Sequence, residues 1–105
     1  MKIVVTGGAG FIGSNLTEKL VQLKHNVVVV DNLSTGNLNN LKNIKDKISF
    51  VNIDISKEKE KLKEAFNKAE CVYHLAGLAD IVPSIKNPEK YFESNVIGTL
   101  NVLEA

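Results

Sequence analysis

The sequence lacks arginine altogether: all thirteen of its basic residues are lysines. Arginine is the usual bidentate partner of a phosphate group, so a phosphate bound here has to be held by other groups. A single cysteine, Cys71, excludes an internal disulfide framework and is typical of a reducing compartment. No apolar run approaches the roughly 18 residues that span a bilayer, and the run at the start is too short for a signal peptide. We therefore expect a cytoplasmic protein without a membrane partner.

Charges of the two signs nearly balance in this sequence. Thirteen lysines stand against twelve acidic residues, which gives a net charge of +1 at pH 7. This balance produces no long-range field, so nucleic acid is not favoured as a partner. Two histidines, His25 and His74, and one cysteine do not provide a cluster of metal ligands. The 105 residues are enough for one domain at most, and no metal site is predicted in it.

Short apolar runs alternate with longer segments of helical periodicity along the chain. The predicted strands are residues 2–6, 27–30, 48–53 and 71–75. The predicted helices are residues 11–24, 57–66 and 91–105. Alternation of strands and helices at these lengths predicts a parallel sheet with right-handed crossovers. We therefore expect an α/β fold, the N-terminal half of a Rossmann-type doubly wound parallel sheet with the spatial strand order 3-2-1-4.

The predicted helices carry apolar faces. In the first, the apolar side consists of Phe11, Ile12, Leu16, Leu20, Val21 and Leu23. The second has a narrow face of Leu62, Ala65 and Phe66, and Ser56 is its predicted N-cap. In the last, the apolar residues at helical spacing are Tyr91, Phe92, Val96, Leu100 and Leu103. Residues 32–43, rich in Asn, Ser, Thr and Gly, predict a loop with one helical turn.

The glycine-rich segment TGGAGFIG, residues 6–13, is the strongest chemical signal. It joins the first predicted strand to the first predicted helix, which is the context in which a G-x-G-x-x-G string predicts dinucleotide binding. Gly7 permits the tight turn, Gly10 lets a pyrophosphate approach the backbone, and Gly13 lets the helix pack closely. A Walker-type phosphate loop is excluded, because Ser14 stands where that motif needs lysine.

The start of the first helix predicts how the phosphates are held. The main-chain N–H groups near Phe11 and Ile12 point out of the helix, and the helix dipole favours negative charge there. Asp31 ends the second strand 18 residues after Gly13, where a carboxylate accepts hydrogen bonds from a ribose and repels a 2′-phosphate. The sequence therefore predicts NAD rather than NADP. The alternative for Asp31 is a simple strand-end or turn residue.

Five sequence blocks in this order resemble a known family. They are residues 6–13, Asp31-Asn-Leu-Ser-Thr-Gly36, Asp54-Ile55, His74-Leu-Ala-Gly77 and Asn95-Val-Ile-Gly-Thr99. Together they are similar to the extended short-chain dehydrogenases/reductases, specifically the NAD-dependent sugar-nucleotide epimerase/dehydratase family. The resemblance spans essentially the whole chain.

The resemblance implies cofactor-binding roles for particular residues. On the adenosine side, Asp31 and Asn32 would hold the ribose, and Asp54 and Ile55 would border the adenine. The same edge would be lined by Ser34, Thr35 and Gly36. Under the nicotinamide ribose would pass Leu75, Ala76 and Gly77. Ser94 would lie on the helix behind that loop.

Two polar residues near this loop have competing interpretations. Asn95 either ties the helix to the strand ends, which we favour, or contacts the cofactor. His74 is expected to be a core histidine with its hydrogen bonds satisfied rather than a catalytic base. Cys71 is likewise expected to be a small apolar core residue rather than a reactive thiol.

Within the family, residues 78–92 resemble the UDP-sugar 4-epimerases more than the dTDP-sugar dehydratases, with residues 82–85 beside the sugar. The family uses a Tyr-x-x-x-Lys pair, but the fourth residue after Tyr73 is Gly77 and the fourth after Tyr91 is Asn95. No catalytic residue is therefore assigned. We expect residues 1–105 to be a partial NAD-binding Rossmann domain without the catalytic and substrate-binding part, inactive alone and marginally stable or associating.

The implied parent protein is a homodimeric enzyme of carbohydrate metabolism that acts on a nucleotide sugar. The reaction expected is 4-epimerization of a UDP-hexose by transient hydride transfer through a 4-keto sugar. A dehydratase, decarboxylase or reductase of the same family is one alternative. A non-catalytic NAD-binding module is the other.

Overall fold

A four-stranded parallel sheet forms the centre of the molecule. This computed structural model describes residues 1–78 and 81–105, and residues 81–83 by their backbone alone. The strands are β1 (Lys2–Thr6), β2 (Asn26–Asp31), β3 (Ile48–Asn52) and β4 (Cys71–His74). Their order in the sheet is β3-β2-β1-β4, and all three pairings are parallel. The predicted strand order and Rossmann-type topology are confirmed.

Helices connect the strands and cover both faces of the sheet. They are α1 (Phe11–Gln22), α2 (Lys59–Ala65), α3 (Ile81–Lys86), α4 (Pro88–Phe92) and α5 (Gly98–Glu104). Short 3₁₀ turns occupy Leu38–Leu41 and Lys45–Lys47, in and just after the predicted loop. A π-helical stretch, Glu93–Ile97, joins α4 to α5, so that residues 88–104 form one continuous helix. We call it the last helix. Helix α3 was not expected from the sequence.

The core lies on both faces of β1 and β2, because alternate residues of a strand point to opposite sides. On one face Ile3, Val5, Val27 and Val29 pack with Leu20, Leu41 and Ile44. On the other face Val4, Val28 and Val30 pack with Ile53, Leu62, Phe66 and Val102. Both central strands are therefore buried on their two sides, which is why they appear in the sequence as unbroken apolar runs.

Helix α1 buries only part of the apolar side that its sequence predicts: Leu20 is buried, and Leu16 and Val21 pack against the core. Phe11, Ile12 and Leu23 are 82%, 69% and 55% exposed. The fully buried residues of the helix are Leu20 and three small residues, Gly13, Ser14 and Thr17. Small residues are needed there because the first turn of the helix packs directly on the glycine loop, where a bulky side chain has no room.

The last helix also turns apolar residues outward. Phe92, Val96, Leu100 and Leu103 are each more than half exposed. We call these four side chains the outer stripe. The inward side near the sheet carries Gly98, Asn101 and Val102. Among the described residues, no helix has the length and apolar character needed to cross a membrane.

The predicted N-cap of α2 is wrong by two positions. The helix begins at Lys59, and Glu58 occupies the capping position without a side-chain cap. The main-chain N–H and the hydroxyl of Ser56 both donate to Asp54 Oδ1, at 2.9 and 2.6 Å. Ser56 is therefore bound to Asp54 in a turn before the helix begins and does not cap the helix. The predicted apolar face of α2 is confirmed by the burial of Leu62 and Phe66.

Candidate cofactor site

A cleft opens at the carboxyl ends of the strands, above the point where the strand order reverses between β1 and β4. Open parallel sheets bind their ligands at such a point. The predicted site residues that line the cleft are Gly7, Gly10, Asp31, Asn32, Ser34, Thr35, Asp54, Ile55, Leu75, Ala76, Gly77 and Ser94. The fold thus brings residues separated by up to 87 positions into one groove.

The glycine loop, residues 7–10, forms the floor of the cleft and depends on two close approaches. Gly7 has φ +72°, and its N–H donates to the carbonyl oxygen of Val30 at 2.8 Å. A Cβ on Gly7 would lie 2.7 Å from the main-chain nitrogen of Ala76. A Cβ on Gly13 would overlap the Gly7 carbonyl oxygen and lie 2.8 Å from Gly8 Cα. Helix α1 and the segment after β4 can therefore reach the loop only because these side chains are absent.

Gly10 is the N-cap of α1 and faces the open cleft. A Cβ on Gly10 would meet one atom within 4 Å, the Gly7 carbonyl oxygen at 3.4 Å. The N–H groups of the first helical turn have no acceptor within the helix. Free donors beside a bare backbone position are the arrangement that a diphosphate fits. That the main-chain N–H groups of Phe11 and Ile12 donate to a phosphate stays a prediction. The side chains of both residues are exposed.

Asp31 holds two segments of main chain at the end of β2. Its carboxylate accepts hydrogen bonds from the N–H of Ala9 at 3.0 Å and from the N–H of Leu33 at 2.8 Å. The residue is 8% exposed and lines the cleft. A carboxylate has about four acceptor positions, so two remain for another donor. Asp31 is therefore a turn residue, as the alternative interpretation had it, and is also placed to accept from a ligand.

The β3 side of the cleft is held by the turn at Asp54. The N–H of Asp54 donates to Glu58 Oε1 at 3.0 Å, and Glu58 pairs with Lys61 at 2.8 Å. The Asp54 N–H and then the Lys61 ammonium keep the pKa of Glu58 below its ordinary value. From the last helix, Asn101 Nδ2 donates to the Ile55 carbonyl oxygen at 2.7 Å. Side chains that bind their main-chain groups therefore fix Asp54 and Ile55, the two residues predicted beside the adenine.

Asn95 ties the last helix to the segment that follows β4. Its Oδ1 accepts from the N–H of Leu78 at 2.7 Å, and its Nδ2 donates to the carbonyl oxygen of Leu78 at 2.8 Å. The favoured interpretation of Asn95 as a tie is confirmed. The residue lies in the π-helical stretch, a geometry that often occurs at functional sites.

His74, at the end of β4, is a half-buried histidine with both ring nitrogens partnered. Nδ1 lies 2.6 Å from Thr6 Oγ1, and Nε2 lies 2.9 Å from Thr99 Oγ1. Burial lowers the pKa of His74 below its ordinary value of 6.5, because it disfavours the charged ring. The expectation of a satisfied histidine is confirmed. Cys71 is only half-buried, because β4 is an edge strand of the described sheet, but it packs against the core as expected.

Some residues of the cleft were not identified from the sequence. They are Val30, Ile53, Ser56, Lys57, Leu78, Lys90 and Glu93. Val30 and Ile53 stand at strand ends, where the sheet rule would have found them. Lys90 lies one helical turn before Ser94 and thus on the same face of the helix. Among the residues that the structure describes, Lys57 and Lys90 are the two basic residues that line the cleft.

Four predicted cofactor residues lie beside the cleft rather than in its lining: Phe11, Ile12, Gly13 and Gly36. A Cβ on Gly36 would lie 3.0 Å from Asp31 Oδ2, so this glycine packs behind the carboxylate. For residues 82–85, predicted beside the sugar, the side chains of 82 and 83 fall outside the described residues. In the part of the chain that the structure describes, no group of His, Cys, Asp or Glu is arranged to hold a metal ion.

Comparison with known proteins places the chain in a family. A UDP-glucose 4-epimerase of Neisseria meningitidis serogroup B is 39% identical over 109 residues, which cover 98% of this chain and 32% of that protein. UDP-glucuronic acid decarboxylase 1 of Danio rerio is 38% identical over 104 residues, 97% of this chain and 23% of that protein. The crystal structure of a Thermus thermophilus UDP-glucose 4-epimerase in complex with NAD superposes with a TM-score of 0.87 at 39% identity, over 99% of this chain and 33% of that one.

The chain therefore spans about a third or less of the length of these relatives. A family model described as the NAD dependent epimerase/dehydratase family matches residues 3–105. Because this match covers nearly every residue, the chain belongs to the NAD dependent epimerase/dehydratase family.

Proposed function

We propose that this chain binds NAD along the cleft and is the NAD-binding part, residues 1–105, of a larger enzyme. One observation carries the proposal: the glycine loop and the Asp31 carboxylate open into the same groove. The diphosphate lies over Gly10 and the first N–H groups of α1, those of Phe11 and Ile12. Asp31 then faces the adenosine ribose, where its charge disfavours a 2′-phosphate.

The two nucleoside halves of NAD occupy opposite sides of the glycine loop in this proposal. The adenosine half lies against Asn32 and Ser34 after β2 and against Asp54 and Ile55 after β3. The same side includes Thr35 and Gly36. The nicotinamide half lies over Leu75, Ala76 and Gly77, with Ser94 behind them. The NAD complex of the Thermus thermophilus relative supports this choice of cofactor.

The cofactor assignment is tested by titration calorimetry with NAD and NADP on wild type, Asp31→Ala and Gly10→Val. Wild type binds NAD in preference to NADP. Asp31→Ala weakens NAD binding and narrows the NAD/NADP ratio, because the charge that repels a 2′-phosphate is gone. If Asp31→Ala had the same ratio of NAD to NADP affinity as wild type, the ribose would not face Asp31.

Gly10→Val serves as the steric test of the same site. Its Cβ has room in the fold, so the melting temperature stays near that of wild type, while the side chain projects into the space of the diphosphate. NAD binding is then lost. Retained binding with an intact fold would contradict the proposed diphosphate position.

We propose further that the whole protein is a UDP-hexose 4-epimerase. When bound, NAD would supply the hydride acceptor and donor for transient oxidation of the sugar to its 4-keto form. The residues of this chain hold and orient the cofactor, and the Tyr-x-x-x-Lys pair that moves the proton lies outside residues 1–105. The similarity to the Neisseria meningitidis enzyme supports this reaction. The chain alone is inactive.

Activity assays separate this reaction from its alternatives. The full-length protein interconverts UDP-glucose and UDP-galactose, whereas residues 1–105 do not. The 38% identity to a UDP-glucuronic acid decarboxylase makes decarboxylation the second candidate. Release of CO₂ from UDP-glucuronic acid without epimerization would favour it. A dehydratase or reductase would be detected by other nucleotide sugars, and a binding module would turn over none.

We propose that the protein is a cytoplasmic homodimer of carbohydrate metabolism, in which the outer stripe of the last helix joins two copies. Four apolar side chains at helical spacing form a continuous exposed face, and such a face stabilises an interface when paired. Leu100→Glu is expected to shift the full-length protein from dimer to monomer in sedimentation. A dimer that persists would place the interface on another face.

A further inference from the structure

A chain of hydrogen bonds crosses the β4 side of the cleft from β1 to the last helix. The N–H groups of Leu75 and Ala76 donate to Thr6 Oγ1 at 3.1 and 3.2 Å. Thr6 Oγ1 lies 2.6 Å from Nδ1 of His74, whose Nε2 lies 2.9 Å from Thr99 Oγ1. Thr99 Oγ1 donates to the carbonyl oxygen of Asn95 at 2.6 Å. Each group in the chain thus has a partner on both sides.

The donors and acceptors determine the direction of every bond in this chain. A threonine hydroxyl has one proton and two lone pairs. The two N–H groups occupy the lone pairs of Thr6, although that of Leu75 is shared with the Thr6 carbonyl oxygen at 3.0 Å. The Thr6 proton must then go to Nδ1 of His74. The Thr99 proton is already used on Asn95, so Thr99 must accept from Nε2. His74 is therefore neutral, with its proton on Nε2.

The series of hydrogen bonds ends at the backbone of residues 75–78, and these residues line the cleft. Thr6 holds the first two residues of that segment, and Asn95 holds Leu78 at its other end through both main-chain groups. Asn95 belongs to the same helix as Thr99. His74 connects the anchor on β1 with the anchor on the last helix, so that the segment is fixed from both sides.

We propose that His74, as the neutral Nε2–H tautomer, is a positioning residue that holds residues 75–78 in place for the nicotinamide half of the cofactor. The ring does not touch the cofactor. It acts through Thr6 and Thr99, whose hydroxyls it keeps oriented. This inference rests on the proposed NAD site, in which Asp31 takes the adenosine half on the far side of the glycine loop.

The two halves of the cofactor supply the test, because ADP contains the adenosine and diphosphate groups but no nicotinamide riboside. Affinities for NAD and ADP are measured by calorimetry on the full-length protein and on Thr99→Val, Thr99→Ser and His74→Phe. Thr99→Val and His74→Phe lower NAD affinity by about three- to tenfold, the effect of a lost hydrogen bond. ADP affinity stays within about twofold of wild type. Thr99→Ser keeps the hydroxyl and restores NAD affinity.

A second measurement reads the tautomer directly. In ¹⁵N NMR of the imidazole, Nδ1 of His74 is expected at the frequency of an unprotonated nitrogen and Nε2 at that of a protonated one. In Thr99→Val the Thr6 hydroxyl still donates to Nδ1, so the proton is expected to stay on Nε2 although its acceptor is absent. A proton on Nδ1 in wild type would overturn the assigned directions of the Thr6–His74 and His74–Thr99 hydrogen bonds.

Two results are opposed to the proposal and can be told apart. If His74→Phe and Thr99→Val lower NAD and ADP affinities by the same factor, the network is merely structural and the assignment is wrong, while the NAD site stands. If the wild-type protein binds neither NAD nor ADP, the proposed function fails and the assignment fails with it.

Discussion

The two sides of the cleft, the end of β2 and the end of β4, are held by different kinds of hydrogen bond. After β2, the buried Asp31 carboxylate accepts two main-chain N–H groups. After β4, the anchors are the neutral side chains of Thr6, His74 and Asn95. His74 is half-buried and Asn95 is exposed. Hydrogen bonds to a charged acceptor are roughly twice as strong as neutral ones. The β2 side, proposed to bind the adenosine half, is therefore expected to be the more rigid, and the β4 side the more easily disturbed.

The largest effect is expected from Gly13→Ala, because Gly13 packs on the glycine loop that lies between the two sides of the cleft. Gly13→Ala places a Cβ against the Gly7 carbonyl oxygen and 2.8 Å from Gly8 Cα, so helix α1 must move away from the loop. The free energy of unfolding should fall by about 3 kcal/mol, the upper range for overpacking. Denaturant unfolding measures this, with Gly10→Ala as the matched control. Equal midpoints for the two variants would show that the contact at Gly13 is easily relieved.

Asp31→Asn tests the β2 side alone. Both carboxylate oxygens accept from N–H groups, so an amide must direct its NH₂ at one of two donors. The unfolding free energy should fall by about 1–3 kcal/mol, the cost of leaving a buried donor without a partner. Asp46→Asn, an exposed aspartate in a 3₁₀ turn, is the control and should be neutral. If both substitutions are neutral, the β2 side is no more rigid than the β4 side.

Asn95→Leu tests the β4 side. It removes both hydrogen bonds to the main chain of Leu78, but the residue is exposed and water can replace them. The loss in unfolding free energy should therefore be only about 0.5–1.5 kcal/mol. Amide hydrogen exchange at Leu78 should become faster, while exchange at Ala9 on the β2 side should not. Asn43→Leu is the control at an exposed asparagine. Faster exchange at both sites would show that the two sides are coupled.

The smallest effect concerns pH. Because burial lowers the pKa of His74 in the folded chain below its ordinary value of 6.5, the unfolded chain binds the proton more readily. The stability that the neutral ring contributes is complete above pH 6.5 and decreases as the pH falls from there towards the folded pKa. Urea titrations at several pH values measure it, and the difference from His74→Phe isolates the histidine. A difference that does not change with pH would mean that the ring stays solvated.

Much of this architecture could be predicted from the sequence because its signals are local. The apolar runs of β1 and β2 and the glycine motif indicated the order of the strands, the cleft and the place of Asp31. Helix faces were harder. In α1 the bulky Phe11 and Ile12 are exposed because close packing on the glycine loop selects Gly13 and Ser14 for the inner side.

The hydrogen-bond network around His74 could not be predicted at all from local signals. Its partners Thr6 and Thr99 are 68 and 25 positions away in the chain. Neither spacing follows a helix or strand period, and only the folded sheet brings the three side chains together. The resemblance of block 74–77 to a known family identified the segment but not the reason for its histidine.

The π-helical stretch Glu93–Ile97 has a consequence for chain length. A π turn contains one residue more than an α turn. Deleting one residue there would give a regular α-helix whose two flanking parts keep their mutual rotation, so the outward surface would survive. The position from which Asn95 reaches Leu78 would be lost. A one-residue deletion in this short stretch should thus disturb the Asn95–Leu78 contacts, and with them the proposed cofactor site, without altering the outer stripe.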